Sequence, residues 1–183
     1  MHIDSEKGLL VEAKQHASPN YDTRPDSTDI SLIVIHGISL PPGQFGGNYI
    51  DQLFCNQLNP DEHPYFQDIA TLRVSSHLLI RRTGEIVQYV PFHQRAWHAG
   101  VSCYQDREGC NDFSIGIELE GDDETDYTDI QYQVLTETIR ALMETYPGLD
   151  ETHIAGHSDI APGRKTDPGP AFDWAYFRQL LSS

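Results

Sequence analysis

The sequence predicts one domain of the α/β (α+β) class, with a mixed central β-sheet flanked by helices. Three observations carry this. Short β-branched runs such as ISLIVIHG and FSIGIELEG have the length and composition of buried strands. Between and after them lie segments whose apolar residues recur every three or four positions, the spacing of a helix with one buried face. Strands and helices interleave along the chain, and 183 residues suffice for one domain with a full core.

In chain order, residues 1–29 are polar, and PNYDTRPDST reads as extended chain wrapped over the domain formed by residues 30–183. ISLIVIHG is a buried strand that ends in His36 and Gly37. LPPGQFGG is a loop. Asn48 opens NYIDQLFCNQL, where Ile50, Leu53, Phe54 and Leu58 repeat at helical spacing. HPYFQDI and VSCYQDREGC read as loops. RVSSHLLIRRTGEIVQYV reads as two strands around a turn at Thr83 and Gly84. FSIGIELEG is a further strand, and THIAGH a short one. TDIQYQVLTETIRALMETYPG is the clearest helix. Thr128 or Asp129 caps it; Ile130, Val134, Leu135, Ile139, Leu142, Met143 and Tyr146 line one side; Pro147 and Gly148 stop it. FDWAYFRQLL closes the chain as a last short helix.

Composition narrows the partners. The chain is 38% apolar and 22% charged, ordinary values for a globular protein, with a formal charge of −16. Such an excess of acid repels nucleic acid and anionic lipid, and no basic cluster offsets it. No apolar run is long enough to span a membrane, and the first residues carry neither a basic leader nor a signal-length apolar segment, so the expected location is the cytoplasm. Cys55, Cys103 and Cys110 match no zinc-finger spacing and read as free thiols of a reducing compartment. Small molecules and metal ions remain as partners. No obligate protein partner is indicated, and a monomer is expected.

Certain residues break the structural pattern. Side chains alternate along a strand, so in FSIGIELEG the residues Phe113, Ile115, Ile117 and Leu119 point one way. Gly116, Glu118 and Glu120 point the other. Glu120, near the strand end, reads as a solvated carboxylate; Glu118 sits mid-strand beside a glycine that leaves room. His36 and His157 each end an apolar run, and His36 taken alone reads as a satisfied structural histidine before it reads as a ligand. Asp167 follows His157 by ten residues, on the stretch GHSDIAPGRKTDPGP, which is too rich in breakers for a regular helix. Two histidines, a carboxylate and water suit a catalytic zinc ion. The same set could hold non-haem iron, but the close His-x-Asp pair common there is missing, which favours zinc. Lys165 lies two residues before Asp167, on the same side of an extended loop. It is placed either to stabilise an oxyanion or simply to pair with Asp167 in solvent.

The segments IHGISLPPGQFGG, HPYFQDIATLRVSSHLLIRRTGEIVQYV, RAWHAGVS, CNDFSIGIELEG and GRKTDPGPAFDW, running from about Pro19 to Phe177, resemble the AmpD-type 1,6-anhydro-N-acetylmuramyl-L-alanine amidases of the zinc amidase and peptidoglycan-recognition superfamily. The resemblance implies an N-acetylmuramoyl-L-alanine amidase-like fold and one zinc ion held by His36, His157 and Asp167. It implies Glu118 as the catalytic carboxylate and Lys165 as the oxyanion stabiliser. Tyr65, Arg73, His98 and Arg107 become candidates for substrate binding; His77 fits the pattern too, and core packing explains either His98 or His77. The implied reaction is hydrolysis of the amide between the lactyl group of an anhydromuramyl sugar and L-alanine of its peptide, within peptidoglycan recycling, with a consequence in relatives for β-lactamase induction. The rival readings are a general amidase acting on intact peptidoglycan and a muropeptide-binding module without catalysis. The chain departs from the family pattern at Gly37, Ser158 and Gly109, where asparagine, cysteine and arginine are expected.

Overall fold

The computed structural model describes residues 1–183. The chain opens with four short strands, Ile3–Asp4 (β1), Leu9–Leu10 (β2), Lys14–Gln15 (β3) and Tyr21–Thr23 (β4), followed by the long strand Leu32–Ile38 (β5). Helices Tyr49–Phe54 (α1) and Phe66–Ile69 (α2) precede strands Leu78–Ile80 (β6), Ile86–Gln88 (β7) and Gln94–Ala96 (β8). A ribbon of Cys103–Tyr104 (β9) and Arg107–Glu108 (β10) leads through the turn Cys110–Asp112 into Ser114–Glu120 (β11). Helix Asp129–Thr145 (α3), strand Ile154–Gly156 (β12), and helices His157–Ile160 (α4) and Trp174–Leu181 (α5) complete the chain.

Six strands form the central sheet in the order β12-β5-β11-β6-β7-β3. β12, β5, β11 and β6 run parallel, while β7 is antiparallel to β6 around the Thr83–Gly84 turn. The sheet is therefore mixed, as the interleaved pattern predicts. Ile33 and Ile35 of β5 and Ile115, Ile117 and Leu119 of β11 face the main core, where Leu135, Ile139 and Leu142 of α3 and Phe177 and Leu181 of α5 cover them. Alternation sends Leu32, Val34 and His36, with Gly116 and Glu118, to the opposite face. There the apolar cover is divided. One cluster packs Leu32 and Val34 under Phe113 and Ile160, and another packs Leu79 and Val87 under Ile50, Leu53 and Phe54 of α1. The cleft opens on this face, towards the C-terminal ends of the parallel strands, where sites of open parallel sheets are commonly found.

Five expectations need correction. Phe113 precedes β11, with ψ near 7°, and packs with Leu32 and Val34 on the face opposite Ile115, Ile117 and Leu119. In α3 the buried side is Tyr132, Leu135, Ile139 and Leu142, whereas Ile130 is 41% exposed. Ile130 instead covers the β6–β7 turn, its Cγ1 2.7 Å from where a Cβ on Gly84 would lie. Thr128 is the N-cap, and its hydroxyl and Gln131 form a reciprocal capping box. Glu120 is only 2% exposed, because the loop after β5 folds over the strand end. It accepts hydrogen bonds from the Gly46 and Arg82 N–H groups at 2.6 and 3.1 Å, with Arg81 Nη1 at 3.7 Å. The start of GHSDIAPGRKTDPGP is helical for one turn, since its first proline, Pro162, lies beyond the end of α4. HPYFQDI likewise contains a turn of helix, α2.

Candidate metal centre and active site

His36 lies near the end of β5, and Glu118 is its register partner on β11. His157 is the first residue after β12, which pairs with the other edge of β5. Asp167 is tied to the same place because its carbonyl accepts a hydrogen bond from Ser158 N–H at 2.9 Å. Three neighbouring strands and one loop thus deliver their side chains to one point.

The donor atoms converge tightly. His36 Nδ1 lies 3.0 Å from His157 Nδ1 and 3.2 Å from Asp167 Oδ2, and His157 Nδ1 lies 3.0 Å from the same oxygen. The far side of each ring decides what these atoms carry. His157 Nε2 is 3.2 Å from the Ala99 carbonyl, which can only accept, so Nε2 holds the proton and Nδ1 a lone pair. His36 Nε2 is 3.0 Å from His98 Nδ1, and His98 Nε2 is 3.2 Å from Ser114 Oγ. The Ser114 hydroxyl donates to the Cys110 carbonyl at 2.6 Å. Ser114 Oγ therefore accepts from His98, His98 Nδ1 accepts from His36, and His36 Nδ1 is also a bare lone pair. With those tautomers, two imidazole lone pairs and a carboxylate oxygen face one another at this spacing, a donor set that suits a cation. The group could hold a metal ion. Burial pushes the His36 imidazole down to about 4, against the pull of Asp167, which favours the neutral form a metal ligand needs.

Glu118 is 8% exposed, and its Oε2 has no hydrogen-bond partner. Its Oε1 lies 4.0 Å from His36 Nδ1, so the carboxylate stands beside the cluster of His36, His157 and Asp167. Burial, reinforced by the charge of Asp167, raises its pKa well above the ordinary carboxylate range. A raised carboxyl next to a metal site is the arrangement expected of a proton-transfer group. Lys165 is exposed on the cleft wall and forms no ion pair with Asp167, so the simple solvent pairing does not occur. Its charge acts on Glu118 against the effect of burial.

The cleft around these groups has a volume of about 690 Å³. Leu40, Leu53, Ile69, Leu72 and Trp97 form an apolar wall, and Tyr65, 41% exposed, stands on the rim. His98 lines the cleft, and its hydrogen bonds also set it behind His36, with its Nδ1 3.0 Å from His36 Nε2. Arg73 and Arg107 do not line the cleft. Arg73 donates to the carbonyls of Thr71 and Leu72, and Arg107 pairs with Asp29 and lies over the Phe113 ring at 3.7 Å. His77 is fully buried: its Nδ1 accepts from Gly116 N–H at 3.0 Å and its Nε2 lies 3.1 Å from the Gln94 carbonyl. It is a structural histidine.

Sequence reasoning missed Ala99, Ser114 and Tyr127. A backbone carbonyl such as that of Ala99 leaves no signature in a sequence. Tyr127 donates to the Pro168 carbonyl at 2.9 Å, next to the ligand Asp167. The available signal was Gly37, where a Cβ would lie 2.3 Å from the Tyr127 hydroxyl. The glycine at that position makes room for the tyrosine.

Residues 26–170 match the family model for N-acetylmuramoyl-L-alanine amidase. The 1,6-anhydro-N-acetylmuramyl-L-alanine amidase AmpD of Escherichia coli K12 is 63% identical over 177 residues, which cover 97% of this chain and 96% of that protein. The fold superposes on the crystal structure of a selenomethionine AmpD derivative with a TM-score of 0.95 at 61% identity, covering 99% of both chains. A more distant match, at TM-score 0.60 and 29% identity, covers 83% of this chain and 57% of the E. coli amidase AmiD. That structure is a complex with the substrate anhydro-N-acetylmuramic acid-L-Ala-D-γ-Glu-L-Lys.

Proposed function

The chain belongs to the N-acetylmuramoyl-L-alanine amidase family, and from that premise we propose that it is a zinc-dependent 1,6-anhydro-N-acetylmuramyl-L-alanine amidase of peptidoglycan recycling. The reaction is hydrolysis of one amide bond. Water adds across the C–N bond between the lactyl carbonyl and L-alanine, giving a carboxylic acid on the sugar and a free amine on the peptide. The observation that carries this reading is the convergence of three lone-pair donors beside a buried, otherwise unbonded carboxylate.

His36 Nδ1, His157 Nδ1 and Asp167 Oδ2 would hold the ion. Their separations of 3.0 to 3.2 Å are close to the roughly 3.3 Å expected between ligands of a tetrahedral zinc with bonds of about 2.0 Å. When bound, zinc acidifies water and polarises a carbonyl. Glu118, kept protonatable by burial, takes a proton from the attacking water and passes it to the leaving amine. Lys165 places an ammonium on the cleft wall to stabilise negative charge on the amide oxygen. The apolar wall, Trp97 included, suits the bicyclic face of an anhydro sugar, and Tyr65 on the rim can meet the peptide. No helix is long and apolar enough to cross a membrane. The three free cysteines suit the reducing cytoplasm, where we place the reaction.

The test is incubation with anhydro-N-acetylmuramyl-tripeptide, with and without a chelator, followed by mass spectrometry. Free tripeptide is expected in the metal-replete sample, with loss on chelation and recovery on adding zinc. Intact substrate with zinc confirmed bound would reject the amidase assignment and favour a binding module.

A further inference from the structure

We propose that Asn111 is a positioning residue for the metal centre: one oxygen of its side chain fixes the His98–Ala99 dipeptide, and that dipeptide orients both imidazole ligands. This rests on the proposed zinc site and adds the residue that pre-sets it. Asn111 lies in the turn Cys110–Asp112, just before β11. Its Oδ1 accepts from His98 N–H at 3.1 Å and from Ala99 N–H at 2.8 Å. These two N–H groups have no other acceptor. The dipeptide lies beyond the end of β8 at Ala96; the Trp97 carbonyl before it accepts from Ser75 N–H at 3.0 Å, and the Asn111 side chain is the acceptor for the two N–H groups that follow.

What the dipeptide carries explains why those planes matter. The His98 side chain accepts from His36 Nε2–H, and the Ala99 carbonyl accepts from His157 Nε2–H. Two adjacent residues therefore supply the outer partners of both histidines. Rotating either plane would take an acceptor away from one imidazole and release its tautomer and ring orientation. Arg164 Nη2 also donates to the Ala99 carbonyl at 2.6 Å, which pins that oxygen from the solvent side. Asn111 itself is held from behind, because buried Arg24 donates to its carbonyl at 3.1 Å. The side-chain nitrogen of Asn111 makes no hydrogen bond, so only its oxygen is required.

That asymmetry provides the test. Asn111→Ala removes the acceptor, whereas Asn111→Asp retains it. Zinc affinity is measured by competition with a chromophoric chelator, and the histidine tautomers by long-range proton–nitrogen correlation on metal-free protein. Thermal unfolding of the same metal-free samples reports the fold separately. Asn111→Ala should weaken zinc binding by about 10- to 100-fold, the effect typical of losing an outer partner of a metal ligand. It should also mix the tautomers of His36 and His157, and Asn111→Asp should restore both. Parent-like affinity in Asn111→Ala, or equal weakening in Asn111→Asp, would overturn the inference. If Asn111→Ala does not fold, Ser114→Ala decides, since it strips the acceptor from His98 Nε2–H at the other end of the same relay; unchanged affinity there overturns it. A parent protein that binds no zinc rejects the zinc reading itself. The tautomers of the metal-free variants would still decide the role of Asn111.

Discussion

Gly116→Ala should damage both the fold and the metal centre, through a single methyl group. Gly116 lies in β11, and an added Cβ would sit 2.5 Å from His98 Cγ, 2.6 Å from Nδ1 and 2.8 Å from Cδ2. Normal carbon contacts begin near 3.5 Å, so the ring must retreat by about 1 Å. It has nowhere easy to go, with the His36 and His77 rings at centroid distances of 5.0 and 5.7 Å. Overpacking of this kind costs about 1–3 kcal/mol. A shift of that size also breaks the 3.0 Å bond to His36, and a buried donor left unsatisfied adds about 1–3 kcal/mol. Together these amount to roughly 2–6 kcal/mol, a large part of the roughly 5–15 kcal/mol that stabilises a typical domain. Urea unfolding of the chelated protein should show a lower midpoint at unchanged slope, and chelator competition should show weaker zinc binding. A variant within about 0.5 kcal/mol of the parent, the range of an inert surface change, with parent-like zinc affinity, would mean that the His98 ring does not rest on this strand.

The catalytic groups should separate from the ligands. Lys165→Ala is expected to retain zinc by elemental analysis and lose about 10²- to 10³-fold in kcat, while Glu118→Gln retains zinc and loses about 10²- to 10⁴-fold; Asp167→Ala should lose the metal and the activity together. Arg107→Ala should leave kcat/KM unchanged and cost less than about 1 kcal/mol, since its exposed pair with Asp29 lies away from the cleft. Acid should weaken the metal-free fold. Burial, then the charge of Arg24, pushes His77 well below its ordinary 6.5, so the native state holds it neutral. The unfolded chain takes up the proton below 6.5. This contribution is therefore complete above 6.5 and is lost as pH falls, at up to about 1.4 kcal/mol per unit. Urea midpoints about one pH unit either side of that value should differ in this direction, and equal midpoints would count against a buried neutral His77.

Much of the site was legible because strand periodicity is local. Alternation along FSIGIELEG separates Glu118 from the core residues without reference to any other element, and an apolar run ending in histidine marks His36 in the same way. His157 and Asp167 lie on one short stretch, so their grouping needs no long-range information. The resemblance to a known family then converted these local marks into roles. Helix α3 shows the limit of this: the 3.6-residue period is correct, but Ile130 and Tyr132 exchange places because the β6–β7 turn, distant in sequence, meets the first turn of the helix. Glu120 failed for the same reason. Its exposure depended on a loop beginning about eighty residues earlier.

The sequence by itself determined the strands, the main helix and the positions of His36, Glu118 and His157 at or near strand ends, because each is encoded in residue type and short-range spacing. The tertiary structure alone decided which nitrogen of each imidazole faces Asp167, and that Arg107 stays out of the cleft while His98 stands behind His36. Those outcomes rest on hydrogen bonds between residues about 60 positions apart, His36 with His98 and Ala99 with His157. Such contacts exist only after the sheet has brought distant segments together, so no local pattern can announce them.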